Sequence, residues 1–176
     1  MKLWTLKGKE LHILKGHGGS VYSVSYSPDG QTIVSAGTDN TIKLWSVEED
    51  RDLATFRGHD NSGVTSVSFS PNDQTIASGS VDGIVKLWNP TMKELQIIEG
   101  HSSRITNVRF SPDGSMFASA SRDGTVKLWD LAGKELHTFQ GHGSRVSDIS
   151  FSPDGHMLAS ASWDGTVKLW DLAGKE

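Results

Sequence analysis

Gly100 to Gln140 reads GHSSRITNVRFSPDGSMFASASRDGTVKLWDLAGKELHTFQ, and the chain begins the same phrase again at Gly141. Over the 36 residues from Gly141 to Glu176 the two copies share 27 identities without a gap. Gly-His recurs upstream at Gly16-His17 and Gly58-His59, so successive histidines stand 42, 42 and 41 residues apart. Trp4, Trp45, Trp88, Trp129 and Trp170 keep the same beat. Self-similarity at a period of about 40 residues marks a repeat architecture, in which each unit stacks on its neighbours to bury a continuous core. The repeat outranks any local reading of the segments.

The period divides the chain into a partial unit, 1–15, and four units at 16–57, 58–99, 100–140 and 141–176. In the first full unit, Val21 to Tyr26 (VYSVSY) is rich in β-branched and aromatic residues and reads as a strand. Ser27-Pro28-Asp29-Gly30 is a turn, with proline presetting φ and glycine free to take positive φ. Gln31 to Ala36 is the next strand, Thr38-Asp39-Asn40 a turn, Thr41 to Trp45 the third strand and Leu53 to Phe56 the fourth. The acidic run Glu48-Glu49-Asp50-Arg51-Asp52 reads as a solvated connection. The second unit departs with an extra residue in Asp60-Asn61-Ser62-Gly63 and the turn Ser70-Pro71-Asn72-Asp73. Asp123-Gly124 and Asp164-Gly165 are strong hairpin signals between strands. No stretch reads as helical.

Composition narrows the function classes. Hydrophobic residues make up 35% of the chain and the net charge is −4, with acids and bases interspersed. Nucleic acid and anionic membrane both call for a concentrated basic surface, so neither is an expected partner. With no cysteine there is no disulfide and no thiolate metal site. No apolar run approaches the roughly 18 residues that a membrane helix needs. Met1-Lys2-Leu3 opens on repeat sequence and not on a signal peptide, so a soluble, cytoplasmic chain is the expectation.

Each unit resembles a WD-repeat, the blade of a β-propeller. The likeness rests on the opening Gly-His, on Ser-x-x-x-Asp ahead of the third strand, and on that strand's closing Trp, followed by Asp at Trp129-Asp130 and Trp170-Asp171. It covers essentially the whole chain. The resemblance implies an all-β fold of four-stranded antiparallel blades set radially around a channel. It also implies four buried hydrogen-bonded tetrads: His17, Ser35, Asp39, Trp45; His59, Ser78, Asp82, Trp88; His101, Ser119, Asp123, Trp129; and His142, Ser160, Asp164, Trp170.

Donor and acceptor chemistry supports that set independently. Indole only donates, carboxylate only accepts, and serine and neutral imidazole each do one of both. The chain Trp to Ser to His to Asp therefore leaves no donor over. A Ser–His–Asp trio also invites a catalytic triad, but the trio occurs four times, the serine's donor is consumed, and no oxyanion-hole or nucleophile-elbow motif accompanies it. No catalytic residue, cofactor or metal ligand is expected, since the histidines already have partners.

Rings of this family usually carry seven or eight blades, as the resemblance implies, so neighbours turn by about 45–51° and closing four would require about 90°. Two chains of four blades would make an eight-bladed ring through a head-to-tail contact made twice. The last unit stops before its fourth strand, and Leu11 to Leu14 matches that strand, so it is expected to complete the last blade, within one chain or between two. Lys2 to Glu10 (KLWTLKGKE) duplicates Lys168 to Glu176 (KLWDLAGKE), which makes one third strand surplus. The leading copy, Met1 to Lys7, is expected to be displaced or disordered.

Two functions compete. The first is a protein-interaction scaffold using the face of the Gly-His loops and the turns before the third strand. Its candidate residues are Thr38, Val81, Arg122 and Trp163 from the turns, with Asp60, Asn61, Arg104 and Arg145 from the loops. The second is a self-assembling half-propeller, excised or engineered, whose one ligand is its own second copy. The repeats' near-identity fits recent amplification, excision or design alike. An enzyme or lectin on a propeller scaffold is the weakest reading, because no titratable cluster converges outside the tetrads.

Overall fold

A computed structural model describes every residue except Asp50, Asp60, Asn61, Asp73 and Met92. The chain is all-β among these residues. A two-stranded hairpin, β1 (Lys2–Trp4) and β2 (Glu10–Ile13), comes first. Blade 1 then runs β3 (Val21–Tyr26), β4 (Thr32–Gly37), β5 (Thr41–Ser46), β6 (Asp52–Arg57), each strand antiparallel to the next. Blade 2 is β7 (Val64–Phe69), β8 (Ile76–Ser80), β9 (Ile84–Trp88), β10 (Glu94–Glu99), and blade 3 is β11 (Ile105–Phe110), β12 (Met116–Ser121), β13 (Val126–Asp130), β14 (Glu135–Phe139). Blade 4 has three described strands, β15 (Val146–Phe151), β16 (Met157–Ser162) and β17 (Val167–Asp171).

Turn chemistry sets these boundaries. In the Ser27-to-Gly30 turn the Asp29 carboxylate accepts the Ser27 hydroxyl at 2.6 Å and the Gln31 amide at 2.9 Å. Ahead of each third strand one residue takes positive φ. It is glycine at Gly83, Gly124 and Gly165, and Asn40 at φ 63° in blade 1, the non-glycine type that tolerates this region best.

Blades stack face to face, and the core lies between them. Val34, Ala36, Ile42 and Leu44 from the back of blade 1 meet Val67, Phe69, Ile76 and Trp88 from the front of blade 2. The same contact recurs between blades 2 and 3, where Leu87 and Ile98 meet Phe117 and Trp129, and between blades 3 and 4, where Leu128 and Phe139 meet Leu158 and Trp170. A strand sandwiched in this way is buried on both faces. All six residues of β7 are buried, whereas β3 alternates between half-buried and exposed.

The inner strands are also tied by hydrogen bonds. Each carries a β-bulge at its start, and the bulged residues Thr65 and Thr106 donate to Ile105 O at 2.6 Å and Val146 O at 2.8 Å of the next blade. Ser23 Oγ accepts the Val67 amide and Ser25 Oγ the Phe69 amide, both at 3.1 Å.

The leading segment departs from expectation. Lys2–Trp4 is a strand, neither displaced nor disordered, and pairs with β2 through Lys2↔Ile13 and Leu3↔His12. Leu3 and Leu14 are buried against Ile33 and Trp45 of blade 1, in the manner of a third and a fourth strand. The reason is tethering. A short turn, closed by Thr5 N–H to Lys9 O at 2.8 Å and Gly8 N–H to Thr5 O at 2.9 Å, holds β1 beside β2 at high effective concentration. Trp4 itself stays exposed, because the partial unit has no strand to supply a serine acceptor.

Candidate interaction face

The tetrads sit at the junction of three segments in each blade: the Gly-His loop, the second strand and the third. Trp Nε1 donates to Ser Oγ at 2.8 Å (Trp45–Ser35), 2.9 Å (Trp88–Ser78), 2.8 Å (Trp129–Ser119) and 2.8 Å (Trp170–Ser160). The same hydroxyls lie 2.7, 2.8, 2.8 and 2.7 Å from Nε2 of His17, His59, His101 and His142. Asp39 lies 3.0 Å from His17 Nδ1, and Asp123 and Asp164 lie 2.9 Å from Nδ1 of His101 and His142. With Nδ1–H donating to carboxylate, Nε2 accepts from serine, and the indole donates to the same oxygen. In blade 2 the Asp82 carboxylate accepts the Ser80 hydroxyl and the Ile84 amide.

Sequence reading missed a fifth member. Thr41, Thr125 and Thr166 donate their hydroxyls to Asp39, Asp123 and Asp164 at 2.8, 2.7 and 2.6 Å. The signal was a threonine two residues after the aspartate in three units, with Ile84 in the other.

These bonds hold the carboxylates ionised. Burial alone would raise the Asp39 carboxyl, but bonds from the Thr41 hydroxyl, the Gly18 amide and the His17 ring bring it down to about 2. At Asp123 burial is likewise outweighed by His101 and Thr125, and the carboxyl lies well below the ordinary range. The Thr166 hydroxyl does most to lower Asp164, against a burial effect, with help from His142 and the Gly143 amide.

This network offers no chemistry to a substrate. Ser35, Ser78, Ser119 and Ser160 are all buried, so no hydroxyl is open to attack a carbonyl. Among the described residues no three His, Asp or Glu side chains converge as a metal site. None of the helices expected of a membrane span occurs: no helix in the described residues is long and apolar enough to cross one.

What the tetrads do is fix the loops beside them. In each blade the residue before the tetrad aspartate donates its amide to the loop that leads into the first strand. The bonds run Thr38 to Ser20 O at 2.9 Å, Val81 to Gly63 O at 3.0 Å, Arg122 to Arg104 O at 2.9 Å and Trp163 to Arg145 O at 3.0 Å. These pairs bring six of the eight candidate residues to one face, and the other two, Asp60 and Asn61, lie outside the described residues. Val81 and Thr38 are exposed. Trp163 is 67% exposed, and the Arg145 guanidinium stacks on its ring at 3.1 Å from the centroid. A depression between blades 3 and 4 is lined by Arg122, His142, Arg145 and Trp163 among others. Arg104 also stacks over Tyr22 of blade 1, at 5.0 Å, a residue that sequence reading left out. Tyr22 is the bulged residue of β3, and its unit lacks the small hydroxyl side chains found at Thr65 and Thr106.

Comparison with known proteins agrees with this geometry. Single-repeat stretches are similar to transcription initiation factor TFIID subunit 5 of Caenorhabditis elegans, 45% identical over 42 residues, covering 24% of this chain and 6% of that protein. The WD repeat-containing protein RUP2 of Arabidopsis thaliana is 49% identical over 49 residues, 28% of this chain and 13% of its own length. The ubiquitin homeostasis protein lub1 of Schizosaccharomyces pombe is 45% identical over 49 residues, 28% of this chain and 7% of that protein. The chain thus spans a small fraction of these relatives. The family model described as the IFT122 first beta-propeller matches residues 1–176 throughout. On its fold, its tetrads and this match, the chain belongs to the WD-repeat β-propellers, in the family of the IFT122 first beta-propeller.

Proposed function

We propose that the chain is a non-catalytic WD-repeat module that binds a protein or peptide on its Gly-His loop face. One observation carries this: Trp163 stands exposed on a rigid turn, braced by the Arg145 guanidinium, with Arg122 across the same depression. Trp and Arg dominate interface hot spots, and an anchor held in place by its fold loses little entropy on binding. Partners are recovered by pull-down and their affinities measured against Trp163→Ala and Arg122→Ala. Loss of a hot spot weakens binding by about 2 kcal/mol or more, roughly thirtyfold. If both variants bind every recovered partner as the parent does, this face is not the site.

A second reading is favoured by the two ends of the stack. Val167 and Leu169 on the back of blade 4 are 69% and 57% exposed, while Ile42, Val85 and Val126, the counterparts of Val167, are at 0–1%. Val24 and Tyr26 on the front of blade 1 are 51% and 55% exposed, while Val67 and Phe69 are buried. Large exposed apolar faces mark interaction sites. These two are the halves of the contact that already occurs three times between blades, so a second copy fits them head to tail, as an eight-bladed homodimer. This reading holds alike for a natural, excised or engineered chain. Light scattering at micromolar concentration gives twice 19.1 kDa if it is right, and 19.1 kDa if it is not.

A further inference from the structure

The head-to-tail reading meets an obstacle on the front of blade 1. Leu3 of β1 is buried against Ile33 and Trp45. Within the stack, the position facing the counterpart tryptophans belongs to Leu44, Leu87 and Leu128, the third-strand leucines of the preceding blade. Leu169 is the fourth member of that series. A second copy cannot seat Leu169 while Leu3 holds the place. From this we infer that β1 is a replaceable stand-in, and that assembly proceeds by strand exchange in which β17 of a second copy takes the place of β1 on β2. The inference rests on the self-assembly reading above.

The exchange conserves nearly every bond that it breaks. Residues 2–14 and 127–139 align without a gap, and Leu3↔His12 matches Leu128↔His137 in register. Leu169 of the incoming strand therefore faces His12, and Lys168 faces Ile13. Lys2 pairs with Glu10 at 2.5 Å, as Lys127 pairs with Glu135 at 2.7 Å. Lys168, held in the single chain by Glu176 at 2.5 Å, reaches Glu10 in the same geometry. One ladder and one ion pair replace another, so neither drives the exchange.

The driving force is what β17 brings behind it. β1 is backed by no first or second strand, so it leaves Val24 and Tyr26 in water. β17 arrives with β15 and β16, and Ala159 and Ala161 then cover Val24 and Tyr26, as Val34 and Ala36 cover Val67 and Phe69. Asp148 and Ser150 hold the places of Ser23 and Ser25, which accept the Val67 and Phe69 amides, so they can accept those of Val24 and Tyr26. Surface buried on exchange is apolar and was exposed on both copies, which gives the favourable balance.

The chain has no cysteine, so the strand beside β2 can be trapped directly. Two full-length variants are compared under mild oxidation, His12→Cys with Leu169→Cys, and His12→Cys with Leu3→Cys. Strand exchange gives a covalent dimer from the first pair on a non-reducing gel and little cross-link from the second. A scattering mass of two copies with a 3–12 cross-link inside each chain, and none from the first pair, overturns the exchange while leaving self-assembly standing. A 12–169 cross-link within one chain overturns it in favour of closure in cis, and a single-copy mass overturns both readings. Leu3→Asp, which unseats β1 without touching β17, lowers the dissociation constant of the dimer at least tenfold. An unchanged or raised constant counts against the stand-in role.

Discussion

Replacing Ser119 by alanine tests the tetrad as an energetic unit. The Ser119 hydroxyl accepts from Trp129 Nε1 at 2.8 Å and bonds His101 Nε2 at 2.8 Å, and all three side chains are buried. Without the oxygen, one indole donor and one imidazole acceptor lose their partner inside packed protein. A stranded buried group costs about 1–3 kcal/mol, so Ser119→Ala costs about 2–6 kcal/mol in unfolding free energy. Trp129→Phe removes the indole donor and leaves the Ser119–His101 bond intact, so the double variant strands only His101. It therefore costs less than the sum of the singles, by about 1–2 kcal/mol. Urea unfolding followed by circular dichroism at 25 °C measures all four species. A Ser119→Ala cost below about 0.5 kcal/mol, or additivity within about 0.3 kcal/mol, refutes the coupled network.

Three further outcomes follow from the same geometry. A Cβ on Gly100 would lie 2.4 Å from Trp129 Cη2, and the indole is pinned by its bond to Ser119. Gly100→Ala therefore overpacks the blade and costs about 1–3 kcal/mol, seen as a lowered melting temperature. Leu87 and Leu169 are equivalent in the repeat, but one is buried between blades and the other exposed at the end of the stack. Leu87→Ala costs about 2–5 kcal/mol, and Leu169→Ala leaves the dilute single chain within about 0.5 kcal/mol while weakening association. Asp39, Asp123 and Asp164 have carboxyls lowered in the folded chain, so the unfolded chain binds more protons in acid. Their stabilisation is complete above the ordinary carboxylate value of about 4 and fades as pH falls, with the Asp39 share going near 2. Urea midpoints at pH 5 and pH 2.5 record the loss, and Asp39→Asn flattens it.

Much of the fold was legible because it is written four times. Val21 to Tyr26 is a strand with those same limits in sequence and structure, while β6 extends to Asp52–Arg57, one residue beyond Leu53 to Phe56 at each end. Burial was less legible. VYSVSY and VTSVSF are nearly the same string, but β3 has one face in water and β7 has both faces covered. The difference belongs to the neighbour and not to the strand. The binding-face residues were found by their place in the repeat, whereas the stacking of Arg145 on Trp163 and of Arg104 on Tyr22 joins residues that no local pattern connects.

By itself the sequence determined the repeat, its strands and turns, and the Trp–Ser–His–Asp partners, because each depends on residue type at fixed short spacing. Only the tertiary structure decided which copy of a duplicated strand lies beside β2. Lys2 to Trp4 and Lys168 to Trp170 carry the same letters, and the choice between them turns on chain connectivity: a five-residue turn, Thr5 to Lys9, keeps β1 at hand. It also decided which faces of identical blades stay wet, since a face is dry only where another blade lies against it.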